Sequence, residues 1–264
     1  MDLQLTDKRA VVTGSTAGIG FAIAKALTRE GASVVVNGRT VARVDAAIAK
    51  MRQAHAGAKF WGVAADVSNA LGCAKLTEAV PTADILVNNI GIFEPKPFEK
   101  ITDDDWMRIF EANVMSGIRL SRHYLAGMRE RNWGRILFIS SESAVQIPVE
   151  MIHYGMTKTA QVAIARGIAE SVAGSRITVN SVLAGPTRSE GGEAFISQMS
   201  KQSGMDPGAF EQEFFKSVRP SSLLKRFATT DEVASMVVYL SSPLSSATTG
   251  AAVRVDGGVV RAIL

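Results

Sequence analysis

The run Arg9 to Thr13 (RAVVT) is β-branched and apolar and stops at Gly14. Gly14-Ser15-Thr16-Ala17-Gly18-Ile19-Gly20 follows, and then FAIAKALTRE, whose apolar residues recur at helical spacing. A buried strand, a glycine turn and a helix in direct succession leave few folds open. The strand belongs in a sheet whose next parallel strand is reached over the helix. The rest of the chain repeats this alternation. Ser33 to Asn37, Lys59 to Ala64, Asp84 to Asn88, Gly134 to Ser140, Arg176 to Val182 and Ala251 to Asp256 read as strands, with segments of helical period between most of them. The pattern predicts an α/β fold, a doubly wound parallel β-sheet of about seven strands flanked by helices in three α/β/α layers.

Apolar residues make up 47% of the 264 and charged residues 20%, enough to bury a sizeable core in one domain spanning 1–264. The single cysteine, Cys73, has no internal disulfide partner, which points to a reducing compartment. The first residues, MDLQLTDKRA, are too polar for a signal peptide, and no apolar run reaches about 18 residues. These features predict a cytoplasmic protein that does not span a membrane. The net charge of +4 is modest. Arg119, Arg122, Arg129, Arg131 and Arg135 cluster loosely without a block of like charge, as on a solvated helix face, so no nucleic-acid partner is expected.

The glycines have a chemical reading. Gly14 allows the tight turn, Gly18 lets the backbone approach a pyrophosphate at the positive start of the helix, and Gly20 permits close helix–strand packing. In such a dinucleotide site the end of the second strand faces the adenosine ribose. The tip here is Asn37-Gly38-Arg39-Thr40, with no acid and one guanidinium. An acid would repel a 2′-phosphate, whereas Arg39 suits one, so NADP(H) is expected over NAD(H), with NAD(H) possible. The other reading of Arg39 is a plain surface residue, and Ala17 supplies no second cation in the loop. Asp66, followed by Val67, either accepts the adenine amino group or caps the next helix. Asn88-Asn89-Ile90-Gly91 closes a strand with carboxamides suited to structural bonds beside a cofactor.

Thr102-Asp103-Asp104-Asp105 opens a long helical stretch. Adjacent acids do not face one another on a helix, so capping is favoured over a metal site, and no metal is expected. Asn113, a poor choice inside a helix, implies either a kink with a bound water or a residue facing solvent. Ser141 falls at the C-terminal edge of its strand, where open α/β sheets bind ligands. Tyr154 and Lys158 are four apart and share one helix face. The lysine charge is expected to draw the phenol down from about 10 toward working pH. His153 points about 100° away around the helix and reads as pocket wall or packing.

Taken together, these signals resemble the classical short-chain dehydrogenase/reductase family along nearly the whole chain. Thr13 to Gly20 is similar to its T-G-x-x-x-G-I-G loop, Asn88 to Gly91 to N-N-A-G with Ile90 for Ala, and Asp66 to its adenine-pocket acid. Asn113, Ser141, Tyr154 and Lys158 match its catalytic tetrad. The segment normally reading Pro-Gly is Ala184-Gly185-Pro186-Thr187, so the glycine is kept and the preceding proline lost.

The resemblance implies a Rossmann-type fold and hydride transfer between nicotinamide and a carbonyl or secondary alcohol. Tyr154 would pass the proton, Ser141 would stabilise the substrate oxygen, and Lys158 would hold the nicotinamide ribose. Asn113 would keep a water linking Lys158 to solvent. Gly14, Ser15, Thr16, Gly18, Ile19, Gly20, Arg39, Asp66, Val67, Asn89, Gly91, Gly185 and Thr187 would line the cofactor, with Tyr154 and Lys158. The best match in activity is an NADPH-dependent ketoreductase resembling 3-oxoacyl-ACP reductases. An NAD-dependent alcohol, sugar or steroid dehydrogenase is the alternative, and a non-catalytic nucleotide-binding regulator a third. The glycine breaks between Pro186 and Ser222 suit a substrate lid over 186–222. Phe195, Met199, Met205, Phe210, Phe214 and Phe215 read either as its apolar inner face or as plain core. With Ile92, Phe93, Val145 and Ile147 they would form a pocket for a partly apolar small molecule. The resemblance also implies a homotetramer built on the helices near 102–130 and 152–173 and the tail VVRAIL.

Overall fold

A computed structural model describes residues 2–54 and 57–263. In chain order its main elements are β1 (Arg9–Val12), α1 (Gly18–Arg29), β2 (Ser33–Gly38), α2 (Val41–Ala54), β3 (Phe60–Ala64), α3 (Ala70–Ala79) and β4 (Ile85–Asn88). Next come α4 (Asp103–Phe110), α5 (Ser116–Glu130), β5 (Gly134–Ser141), α6 (Ile152–Ser171) and β6 (Ile177–Ala184). The chain continues with β7 (Thr187–Arg188), α7 (Glu190–Ser203), α8 (Pro207–Glu213), β8 (Ala228–Thr229), α9 (Thr230–Ser241) and β9 (Ala252–Val255).

All the apolar runs read as strands join one sheet, in the order β3-β2-β1-β4-β5-β6-β9, and every pairing is parallel. Side chains alternate faces along a strand, and here both faces are covered. Val12, Val34, Val36, Ile85 and Val87 point to one side, against Ile23 and Leu27 of α1, Met51 of α2 and Val237 of α9. Val11, Val35 and Leu86 point to the other, against Leu76 of α3, Leu120 and Tyr124 of α5 and Ala165 of α6. Burying each such Val or Leu stabilises the fold by about 1.5–3 kcal/mol. That double burial is why the strands read as unbroken apolar runs.

The strand order turns back between β1 and β4, so the crevice for a ligand opens at their C-terminal ends. Two local features shape it. The helical stretch after Thr102 starts with a capping box: the Thr102 hydroxyl accepts from Asp105 N, and the Asp105 carboxylate accepts from Thr102 N. Its middle widens into a π-helical turn, Glu111–Met115, that contains Asn113. The second feature is the 186–222 segment, with α7, α8 and a π-helical turn at Phe214–Val218. The short parallel pair β7–β8 anchors its base.

Candidate active site

A cavity of about 400 Å³ lies between the C-terminal strand ends and the 186–222 segment. Ile19, Asn89, Gly91, Ser141, Tyr154, Lys158, Gly185 and Thr187 all line it. These eight residues singled out from the sequence therefore share one cleft, although they are scattered along the chain.

The glycine loop reaches it through Ile19. Gly14 and Gly18 adopt φ of +60° and +58°, which a side chain would strain. A Cβ on Gly20 would lie 2.4 Å from Asn89 Nδ2 and 2.5 Å from Gly14 O, so helix and loop touch only because that position is bare. Helix α1 begins after Ala17 with no side-chain cap and no acid in its first turn, which leaves its first N–H groups open to an anion. This cradle fits a pyrophosphate. Asn89 braces it, its Nδ2 donating to Thr13 O at 2.9 Å and to Gly14 O at 3.2 Å. Asn37 also ties the loop to the sheet, accepting from Gly14 N and donating to Val63 O and Ala65 O.

Some loop expectations need correcting. Ser15 is fully buried; its N–H donates to Asn37 O, and its hydroxyl donates to Val12 O and accepts from Asn37 N. It shapes the loop from inside and has no donor left for a cofactor. Asp66 does not cap α3, because Asn69 does, accepting from Gly72 N. Asp66 Oδ1 instead takes Ser68 N and Ser68 Oγ. Val67 is buried in the core, and its carbonyl accepts from the Cys73 thiol. Arg39 is exposed at the tip of β2, next to Gly38, whose bare Cα lies against Thr16. Ala184 ends β6 in register with Ser141 and Val255, and the Gly185 N–H bonds Val255 O. The strand thus runs straight through the position where the family carries proline.

Ser141 ends β5, and Tyr154 and Lys158 stack in the first turns of α6. The Ser141 hydroxyl accepts from Ser143 N at 3.1 Å and donates to the Glu142 carboxylate in a short contact. Lys158 is buried, its Nζ donating to Ile139 O at 2.9 Å and Gln161 Oε1 at 3.2 Å, and it lies 5.5 Å from the centre of the Tyr154 ring. Burial alone pushes the Lys158 ammonium down to about 8. The Tyr154 phenol is pushed upward, first by burial and then by the Glu142 carboxylate; the Ser141 hydroxyl and the Arg219 guanidinium pull it back in part. The expected acidification by Lys158 is therefore not what this structure presents. The ammonium is held beneath the ring by other acceptors, and the Glu142 carboxylate has the sign that opposes phenolate.

Asn113 is 1% exposed, which excludes the solvent-facing alternative. Its Oδ1 accepts from Ile92 N at 2.8 Å, and its Nδ2 donates to Ile92 O and Thr157 Oγ1. The π turn frees its main-chain carbonyl, which accepts from Gln161 Nε2 at 2.6 Å. Gln161 thus bridges Asn113 and Lys158. His153 is fully buried with its ring against Trp106, so it is packing.

The pocket walls differ most from expectation. Val145 and Ile147 are 53% and 42% exposed and neither lines the cleft; the Ile147 side chain rests against Gly155 instead. Phe93 does line it, edge-on to the Tyr154 ring. Phe210, Phe214 and Phe215 pack with Phe227 and Ile196 as a small core, and Phe210, Phe214 and Phe227 also face the cleft, so both readings of these aromatics hold. Met205 is exposed, and the side chains of Phe195 and Met199 lie outside the described residues. Three polar residues went unread in the sequence: Glu142, Gln161 and Arg219. The spacing of Gln161, three after Lys158 on one helix face, was an available signal.

Comparison with known proteins agrees with this geometry. Residues 14–260 match the family described as Enoyl-(Acyl carrier protein) reductase. The sequence is 46% identical over 263 residues to the oxidoreductase YvaG of Bacillus subtilis (strain 168), across the full length of both. It is 31% identical over 263 residues to the 3-oxoacyl-acyl-carrier-protein reductase FabG of Aquifex aeolicus (strain VF5), covering 98% of this chain and 100% of the relative. The fold is similar to that of L-sorbose reductase from Gluconobacter frateurii, crystallised with NADPH and L-sorbose, with a TM-score of 0.94 and 32% identity over all of both chains. No helix among the described residues is long and apolar enough to cross a membrane. Matched end to end in sequence and in shape, the chain belongs to the short-chain dehydrogenase/reductase family, nicotinamide-dependent oxidoreductases that interconvert CH–OH and C=O groups.

Proposed function

We propose that this protein is an NADP(H)-preferring ketoreductase that converts a small ketone to a secondary alcohol. The observation that carries the reading is the Tyr154 phenol placed in the cleft with Ser141 and Lys158: a phenol there is a proton donor, as reduction requires. When bound, reduced nicotinamide supplies the hydride that the carbonyl carbon takes up. Tyr154 gives its proton to the carbonyl oxygen, Ser141 supports that oxygen as charge develops, and the half-buried phenol recovers its proton from solvent. Asn113, through Gln161, fixes Lys158 where it would meet the nicotinamide ribose. Gly14, Gly18, Gly20, Asn89, Gly91, Gly185 and Thr187 would hold the dinucleotide, and Asp66, with Oδ2 uncommitted, the adenine.

Preference for NADP(H) rests on Arg39, exposed at the β2 tip with no acid beside it. Relatives in the family support the same reading, since the L-sorbose reductase was crystallised with NADPH. The chain is taken as one domain with a lid over 186–222, working in the cytoplasm, where the buried Cys73 thiol would stay reduced. Exposed Met107 on α4 and Ile263 in the tail are apolar groups that a homotetramer would cover; a monomer mass by light scattering would contradict that. The function is tested by following NADPH and NADH consumption over a panel of ketones, a ketose and a 3-oxoacyl thioester. Ketone-dependent oxidation of NADPH ahead of NADH is expected. NADPH binding without oxidation on any carbonyl would overturn the reading in favour of a nucleotide-binding regulator.

A further inference from the structure

Glu142 places a carboxylate on the wall of the cleft, directly after Ser141, and is 5% exposed. Its Oε2 takes the Ser141 hydroxyl hydrogen. Its Oε1 accepts from Arg219 Nε at 3.3 Å, and Arg219, from the 186–222 segment, also reaches Glu150 Oε1 at 3.4 Å. Two carboxylates thus share one guanidinium, and this wall carries a net negative charge. The remaining charged group of the cleft, Lys158, is turned toward Ile139 O and Gln161. A carboxylate has about four acceptor sites, and here they meet one hydroxyl and one long guanidinium contact.

This arrangement discriminates between substrates. A group next to the reacting carbonyl that only accepts, such as a second keto oxygen, would meet like lone pairs at Glu142. A hydroxyl there would donate. It would also bear on Ser141, whose hydroxyl is in hydrogen-bond contact with the Glu142 carboxylate and is drawn away from the substrate by it. A substrate hydroxyl that donates to Glu142 Oε2 replaces Ser141 as its partner and releases the serine hydrogen to the carbonyl oxygen.

Resting on the ketoreductase reading, we infer that Glu142 is a specificity-determining residue that recognises a hydroxyl on the carbon beside the reacting carbonyl, making α-hydroxy ketones, polyhydroxy ketones among them, the substrate class. The reaction balances as above: hydride to the carbonyl carbon, the Tyr154 proton to its oxygen, and a vicinal diol with oxidised cofactor as products.

The test compares matched pairs in which methyl replaces hydroxyl: hydroxyacetone with butanone, and 1-hydroxybutan-2-one with pentan-3-one. Wild type is expected to favour the hydroxyl member by roughly 10- to 100-fold in kcat/KM, the effect of a hydrogen bond to a charged group. In Glu142→Ala that ratio should fall to within about threefold while NADPH still binds, and Glu142→Gln, which keeps the shape, should lower it severalfold. Equal use of both members by wild type would overturn the inference and leave the ketoreductase reading standing. A ratio that survives both substitutions would overturn the role of Glu142. No reduction of any ketone by wild type that binds NADPH would overturn both.

Discussion

Lys158 is the group whose burial has the most measurable consequence. The residue is 4% exposed, and desolvation pushes its ammonium from 10.5 to about 8. The unfolded chain holds its proton up to about 10.5, so below pH 8 the folded state carries a charge it would sooner lose, at a cost of about 3 kcal/mol. Between pH 8 and 10.5 the folded protein releases that proton while the unfolded chain keeps it. The unfolded state then binds more protons, so stability contributed by this group rises with pH. Working through both equilibria gives a gain of a little over about 1 kcal/mol between pH 7 and pH 9. Lys158→Met removes the titration, and other groups cancel when the two proteins are compared. Urea unfolding of wild type and Lys158→Met at both pH values and one protein concentration should show the difference moving about 1 kcal/mol toward wild type at pH 9. A difference that stays flat, or moves the other way, would refute a buried, charge-strained lysine.

Two other substitutions probe the cofactor cradle. Gly20→Ala puts a Cβ 2.5 Å from the Gly14 carbonyl, a backbone atom that cannot swing aside. It should destabilise the protein by about 1–3 kcal/mol and weaken NADPH binding; unchanged melting and unchanged affinity would show that the loop has room. Arg39→Ala should lower the NADPH-over-NADH ratio in kcat/KM by roughly 10- to 100-fold if the guanidinium meets the 2′-phosphate. Equal discrimination in both proteins would remove Arg39 from the site.

The sheet was legible because its strands are buried on both faces: runs such as Val34 to Val36 and Ile85 to Val87 admit little else. The Tyr154–Lys158 spacing and the position of Ser141 at a strand end were equally direct. What escaped depended on contacts between distant segments. Glu142 follows Ser141 in sequence, but its meaning comes from Arg219, 77 residues on. A short 3₁₀ turn, Glu142–Ala144, follows directly on the strand. Val145 and Ile147, apolar and close by in sequence, end up exposed. The direction of the Tyr154 shift was misjudged for a related reason. Helical spacing brought the lysine under the ring, but spacing says nothing of Ile139 O and Gln161, which hold the ammonium, or of the carboxylate across the cleft.

The account stands or falls on the Tyr154 phenol as the proton donor. Tyr154→Phe, assayed for ketone-dependent NADPH oxidation with NADPH affinity measured alongside, should lose roughly 10²- to 10⁴-fold in kcat while binding the cofactor as wild type does. Turnover close to wild type in that variant would contradict it.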